Sequence, residues 1–141
     1  MATDQSVTIT MSAPFADGDQ DNKIEITWTC TDLGVVSAAL AALFAADQYD
    51  FGPKPSKING YLVKVSTNPS ATAPTDQYDI TLLDSDSIDI AGGNLSNRSS
   101  TLSEDWVPST PIPIDSEITF TIANAGDAKI GTATLFISSG I

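Results

Sequence analysis

Ile24-Glu25-Ile26-Thr27-Trp28-Thr29-Cys30 sets an apolar side chain at every second position and a polar one between. Period two is the repeat of a β-strand with one face buried and one face wet. The pattern recurs in both directions along the chain. Val7, Ile9 and Met11 alternate with Thr8 and Thr10, Tyr61, Val63 and Val65 with Leu62 and Lys64, and Tyr78, Ile80 and Leu82 with Asp79 and Thr81. Further on, Ile118, Phe120 and Ile122 alternate with Thr119 and Thr121, and Ala133, Leu135 and Ile137 with Thr134 and Phe136. Shorter runs at 87–90 and near Trp106 bring the expectation to about 7–8 strands.

Residues that preset a bend or tolerate positive φ separate these runs: Ala16-Asp17-Gly18-Asp19, Asn68-Pro69-Ser70, Asp84-Ser85-Asp86, Ala91-Gly92-Gly93-Asn94 and Ala125-Gly126-Asp127. Their spacing predicts an all-β fold, an antiparallel β-sandwich or jelly roll. Parallel βαβ wiring needs a helical pattern after each strand, and one such pattern is present. Val36, Leu40, Leu43 and Phe44 stand at i, i+4, i+7 and i+8. They predict one short helix near residues 37–47 across an end of the sandwich, the other reading being a buried apolar strand and loop. Residues 107–114 carry Pro108, Pro111 and Pro113 and cannot donate ladder hydrogen bonds regularly, so they read as an edge or an extended arm. The expectation is a single domain over 1–141, with an extended N-terminal strand at 3–12 and this Pro-rich arm.

Composition limits the chemistry. The 141 residues include no His and one Cys, which excludes a Ser-His-Asp triad, a Cys-His dyad, an internal disulfide and a thiolate zinc cage built from this chain. Six Lys and Arg face eighteen Asp and Glu, a net charge of −12. Between Lys64 and Lys129 the single cation Arg98 stands among ten carboxylates. Phosphate-backbone affinity rests on clustered cations, so direct nucleic-acid binding is not expected. The acidic run reads either as a solvated surface that resists aggregation or as a face that repels DNA or meets a basic partner. The N-terminal residues show neither a basic nor an apolar signal region, and the longest apolar stretch, 38–46, is short of a membrane span. Synthesis in a cytoplasm and no membrane partner are the expectation.

Candidate sites are few. Asp84, Asp86 and Asp89 offer alternate oxygen ligands of the kind calcium loops use, without the central Gly and closing Glu of an EF-hand, and a hairpin turn with solvated carboxylates is the preferred reading. Paired carboxylates for glycoside hydrolysis are not marked by any pattern, so no catalytic residue, enzyme activity or cofactor is assigned. Trp28 lies on the apolar side of its strand and reads as core, with Cys30 a small buried apolar neighbour. Trp106, beside the Pro segment, is a candidate contact surface and one of two tryptophans able to stack on a sugar.

The central blocks also carry a resemblance. Gly60-Tyr-Leu-Val-Lys-Val-Ser-Thr-Asn-Pro-Ser70, Ala73-Pro-Thr-Asp-Gln-Tyr-Asp-Ile-Thr-Leu-Leu-Asp84 and Asp89-Ile-Ala-Gly-Gly-Asn-Leu-Ser-Asn-Arg98 resemble a family of small virion proteins of tailed bacteriophages. The strand pair at 117–124 and 128–137 is similar to theirs as well, so the resemblance covers roughly 60–137. It implies a non-enzymatic structural protein, first of all a capsid decoration (cement) protein. Such a protein sits on the outer capsid surface as a homo-oligomer, with a trimer favoured over a dimer, and has the major capsid protein as its partner. The alternative it implies is a tail, head–tail junction or host-recognition component. For the decoration protein the contact candidates are Val7 and Ile9 on the N-terminal strand, and Trp106, Pro108, Pro111 and Pro113 on the Pro-rich arm, which could add to a neighbour's sheet edge. For the alternative, exposed aromatics such as Tyr49, Phe51 and Trp106 would meet a receptor glycan.

Overall fold

The computed structural model describes residues 4–11, 21–43 and 58–138. Among them nine strands form two antiparallel sheets: β1 (Ser6–Met11), β2 (Asp21–Thr29), β3 (Val36–Ala39), β4 (Ile58–Pro69), β5 (Asp79–Leu83), β6 (Glu104–Trp106), β7 (Ile112–Ser116), β8 (Thr119–Ala123) and β9 (Ile130–Ser138). The larger sheet runs β1-β2-β9-β4, with β6 and β7 both hydrogen-bonded to β4, and the smaller runs β3-β8-β5. The fold is the all-β sandwich that the alternation predicts.

The alternating apolar residues become the inner faces. Ile24, Ile26 and Trp28 of β2, Ala133, Leu135 and Ile137 of β9, Phe120 and Ile122 of β8, and Ile80 and Leu82 of β5 are all buried in one cluster. Trp28 and Tyr78 meet there with ring centroids 5.6 Å apart and planes tilted by 54°, a geometry favoured by the ring quadrupoles. Gly131 faces Trp28 across the β2–β9 pair, and a Cβ at Gly131 would lie 2.5 Å from the indole Cζ2. The indole fits because that position carries no side chain.

β4 departs from its expected alternation. Leu62 pairs with Ile137, and Lys64, not Val63, pairs with Phe136, so Val63 is the extra residue of a β-bulge. Before the bulge, Ile58 and Leu62 point inward; after it, Val65 and Thr67 do. The expected inward set of Tyr61, Val63 and Val65 is therefore corrected to Val65 alone, with Tyr61 and Val63 half-buried. One inserted residue exchanges the faces.

The helix expected near residues 37–47 is also corrected. Val36–Ala39 is strand β3, paired with β8 from Val36↔Ile122 to Ala39↔Thr119, and Ala41–Leu43 is one 3-10 turn. Residues 44–57, with Tyr49 and Phe51, lie outside the described residues. The reason lies in tertiary pairing: the Leu40 N–H donates to the Ile118 carbonyl at 2.8 Å, and the buried Val36 and Leu40 fill the sandwich from a strand. Helix propensity is a weak preference that such contacts override. The outer edge of β3 is capped by Gln5, whose side-chain amide donates to the Ser37 carbonyl (2.7 Å) and accepts the Ser37 N–H (2.8 Å). A side chain thus takes the place of a neighbouring strand.

The N-terminal strand lies in the chain's own sheet, since β1 pairs with β2 from Ser6↔Thr29 to Met11↔Ile24. The second half of the Pro-rich arm is strand β7, paired with β4, and Pro113 stands opposite Tyr61. The run at 87–90 is no strand. It belongs to an excursion over 84–98 that covers the outer edge of β5 through isolated bridges at Leu83↔Asp89 and Tyr78↔Arg98.

Candidate functional site

The larger sheet is wider than the smaller one, and the overhang creates a groove. β4 is long enough to seat β7 along 58–62 and β6 along 65–67. Trp106 pairs with Val65 and Ile112 with Leu62, so both side chains extend the inner face beyond the cover of the smaller sheet. The 90–94 turn forms the opposite wall. Between them lies a groove of about 510 Å³, lined by Ile90, Ala91, Gly92, Asn94, Trp106, Val107, Pro108, Ser109, Thr110 and Ile112. Trp106, Ile90 and Ile112 are half-buried against the core.

Hydrogen bonds hold the 89–93 turn and strand β6 in place. Gly92 and Gly93 take φ of +60° and +83°, the left-handed region that glycine enters without strain. The Asp89 carboxylate secures the turn: Oδ1 accepts the N–H groups of Leu82 (3.0 Å) and Ala91 (3.1 Å), and Oδ2 accepts that of Gly93 (2.9 Å). On the other wall, Asp105 accepts the Ser66 hydroxyl at 2.6 Å and meets the Lys64 Nζ at 3.4 Å, which ties β6 to β4. The Ser66 hydrogen bond, helped by the Lys64 charge, holds the Asp105 carboxyl below the usual carboxylate range.

Asp89 is one example of a general device. Asp84 Oδ1 accepts from the N–H groups of Asp86 (2.9 Å) and Ile88 (3.0 Å), Asp79 Oδ1 from Asn97 (3.0 Å), and Asp76 Oδ1 from Ser100 (3.1 Å). Glu104 Oε1 accepts from Ser99 (2.7 Å), and Glu117 Oε1 from Ala41 (2.8 Å) and Ile118 (3.0 Å). Much of the acidic run therefore caps loop amides, a role outside both the solvated-surface and partner-facing readings of the sequence. Aspartate followed two to four residues later by an exposed turn amide was the available signal. Asp84 and Asp89, two of the three calcium candidates, already hold backbone N–H groups. Among the described residues no group of three His, Cys, Asp or Glu could hold a metal ion.

The contact candidates separate. Ile9 is buried and Val7 packs against the core, so β1 turns both apolar side chains inward. Trp106 and Pro108 line the groove, Pro111 is half-buried and Pro113 is exposed on β7. Trp28 and Cys30 are core, as read from the sequence, yet Cys30 is not purely apolar in its contacts. Its Sγ donates to the Gly126 carbonyl and accepts the Lys129 N–H, both at 3.1 Å. Sequence reasoning found Trp106 but missed Asn94, Ser109 and Thr110, because the pairing of a loop with a distant arm leaves no local pattern. It also missed the row Lys23–Phe136–Lys64 across the outer face of the larger sheet, where the two ammonium groups lie 5.3 and 4.9 Å from the phenyl centroid.

No family model, curated protein or solved structure gives a significant match to this chain. Among the described residues no helix is long and apolar enough to cross a membrane.

Proposed function

We propose that this protein is a structural component of a tailed-bacteriophage virion, of the capsid decoration type, binding the outer surface of the major capsid protein shell as a homo-oligomer. One observation carries the reading. Two of the sequence blocks that resemble the phage family, 73–84 and 89–98, are neighbours that build one hydrogen-bonded unit: Arg98 N–H donates to the Tyr78 carbonyl (2.7 Å), Asn97 N–H to Asp79 (3.0 Å), Ile80 N–H to the Leu95 carbonyl (3.0 Å) and Leu82 N–H to Asp89 (3.0 Å). The shared residues are thus the ones that lock the excursion onto β5. Residues with such a role in the fold support reading the likeness as one of fold.

The physical character of the molecule suits the role. A net charge of −12 keeps it off the packaged genome and keeps particles apart. Capped loops and two paired sheets give a stiff body whose weak single contacts add up when a capsid repeats the site. The test is co-sedimentation with purified heads, followed by an electron-microscopy map of the particle. Density of this sandwich on the outer shell, in many copies at a symmetry axis, is the expected result, and recovery in tail fractions alone overturns it. The groove at Trp106 favours a second reading, a tail, head–tail junction or host-recognition component, for which the same map returns few copies away from the shell.

A further inference from the structure

We infer that the groove at Trp106 is a binding site for a neutral saccharide. Its volume of about 510 Å³ falls within the range of small-ligand sites, roughly 300–1,000 Å³. The lining decides the ligand class. None of the ten lining residues is charged, in a chain where 17% of residues are. An ionic ligand would lose water and gain no counter-charge there, which is unfavourable.

The remaining chemistry matches a sugar ring. Trp106, Ile90 and Ile112 line the groove with apolar surface, of the kind that meets the C–H face of a pyranose. Asn94, Ser109 and Thr110 add an amide and two hydroxyls to the lining, groups that both donate to and accept from ring hydroxyls. The Asn94 Nδ2 is fixed on the Ala91 carbonyl at 2.8 Å, so the amide is already positioned. Because Asp89 holds the turn and Asp105 ties β6 to β4, that part of the site is ordered before binding, which lowers its entropic cost. The site stands whether the protein sits on a head or a tail, so its test is separate from the placement of the protein in the particle.

Intrinsic fluorescence reads the site directly, since Trp28 is fully buried and Trp106 is not. The full chain is titrated with tetrasaccharides of glucose, galactose, mannose and N-acetylglucosamine to about 10 mM, a range that captures millimolar affinity. A saturable emission shift with at least one of them is expected. Calorimetry on Trp106→Ala and Thr110→Glu should then show at least a tenfold loss of affinity. Thr110 is exposed, so Thr110→Glu keeps the test valid should Trp106→Ala fail to fold. The inference is overturned by no saturable response to any of the four, by unchanged affinity in Thr110→Glu, by equal binding of a sulfated oligosaccharide, or by a response to a proline-rich peptide alone.

Discussion

Two buried aromatic residues set the tolerances of this core, and each makes a measurable claim. Gly131 has no side chain because the Trp28 indole occupies the space, with ring atoms 2.5 and 2.9 Å from where a Cβ would stand. Trp28 is fully buried and has nowhere to move. Gly131→Ala should therefore destabilise the fold by about 3 kcal/mol in denaturant unfolding, the upper part of the range for overpacking. Adding Trp28→Phe to Gly131→Ala should recover part of that loss relative to the sum of the single changes, because the two positions are in contact. Simple additivity would show that the clash is not the cause. Tyr78 supplies a pH dependence. Burial pushes its phenol up to about 12, against the opposing pull of the Arg98 charge. The folded state thus keeps a proton that the unfolded chain releases near pH 10, and its stabilisation is complete below pH 10 and lost as pH rises toward 12. The amount is at most about 3 kcal/mol. Unfolding of the wild type and Tyr78→Phe compared from pH 9 to 12 should show the steeper decline in the wild type, and parallel curves would refute the assignment.

At the scale of elements, the bulge at Val63 lets both halves of β4 face the core although their buried residues are out of phase in the sequence. Deleting Val63 removes the extra residue and leaves Ile58, Leu62, Val65 and Thr67 in one uninterrupted alternation, all still facing the core. A cooperative unfolding transition is therefore expected to survive that deletion. Val63→Ala, which keeps the residue count at a half-buried position, should cost less than about 1 kcal/mol. Loss of cooperative unfolding in the deletion variant would mean that β4 needs the bulge itself to keep its pairing with β9 and β7. The same strand shows what the sequence could disclose. Strands β2, β5, β8 and β9 were legible because one uninterrupted period of two decides both their existence and their buried face. β4 was legible as a strand but not in its facing, since a bulge is set by pairing with β9 and β7 and writes no motif. β3 was hidden by Ala-rich residues that fit a helix equally well, and only the partner β8 resolves them. Of the groove, Trp106 and Pro108 stood out by residue type, whereas Asn94 and Thr110 are ordinary loop residues until the fold brings them together.

Across the whole molecule, the charge of −12 conceals two populations of carboxylates with opposite effects on stability. Asp89 holds three backbone N–H groups on the wall of the groove. Asp86 is exposed on the adjacent turn, where its own N–H donates to Asp84. Removing the Asp89 carboxylate strands amides that were bonded to a charged acceptor, and Asp89→Ala should cost about 2–3 kcal/mol at any ionic strength. Reversing Asp86 should do the opposite, because a cation there relieves repulsion within the acidic run. Asp86→Lys is expected to stabilise the fold by a few tenths of a kcal/mol in dilute buffer, with the gain vanishing near 1 M salt, where the Debye length falls to about 3 Å. By the same screening, the wild type itself should melt at a higher temperature in 0.2 M salt than in 0.01 M, since its repulsions outnumber ion pairs such as Lys64–Asp105 and Arg98–Glu104. Thermal unfolding of the three proteins at both salt concentrations separates the roles. If Asp86→Lys destabilised as much as Asp89→Ala, the carboxylates of the run would be acting as one electrostatic unit, and their division into caps and solvated charges would be wrong.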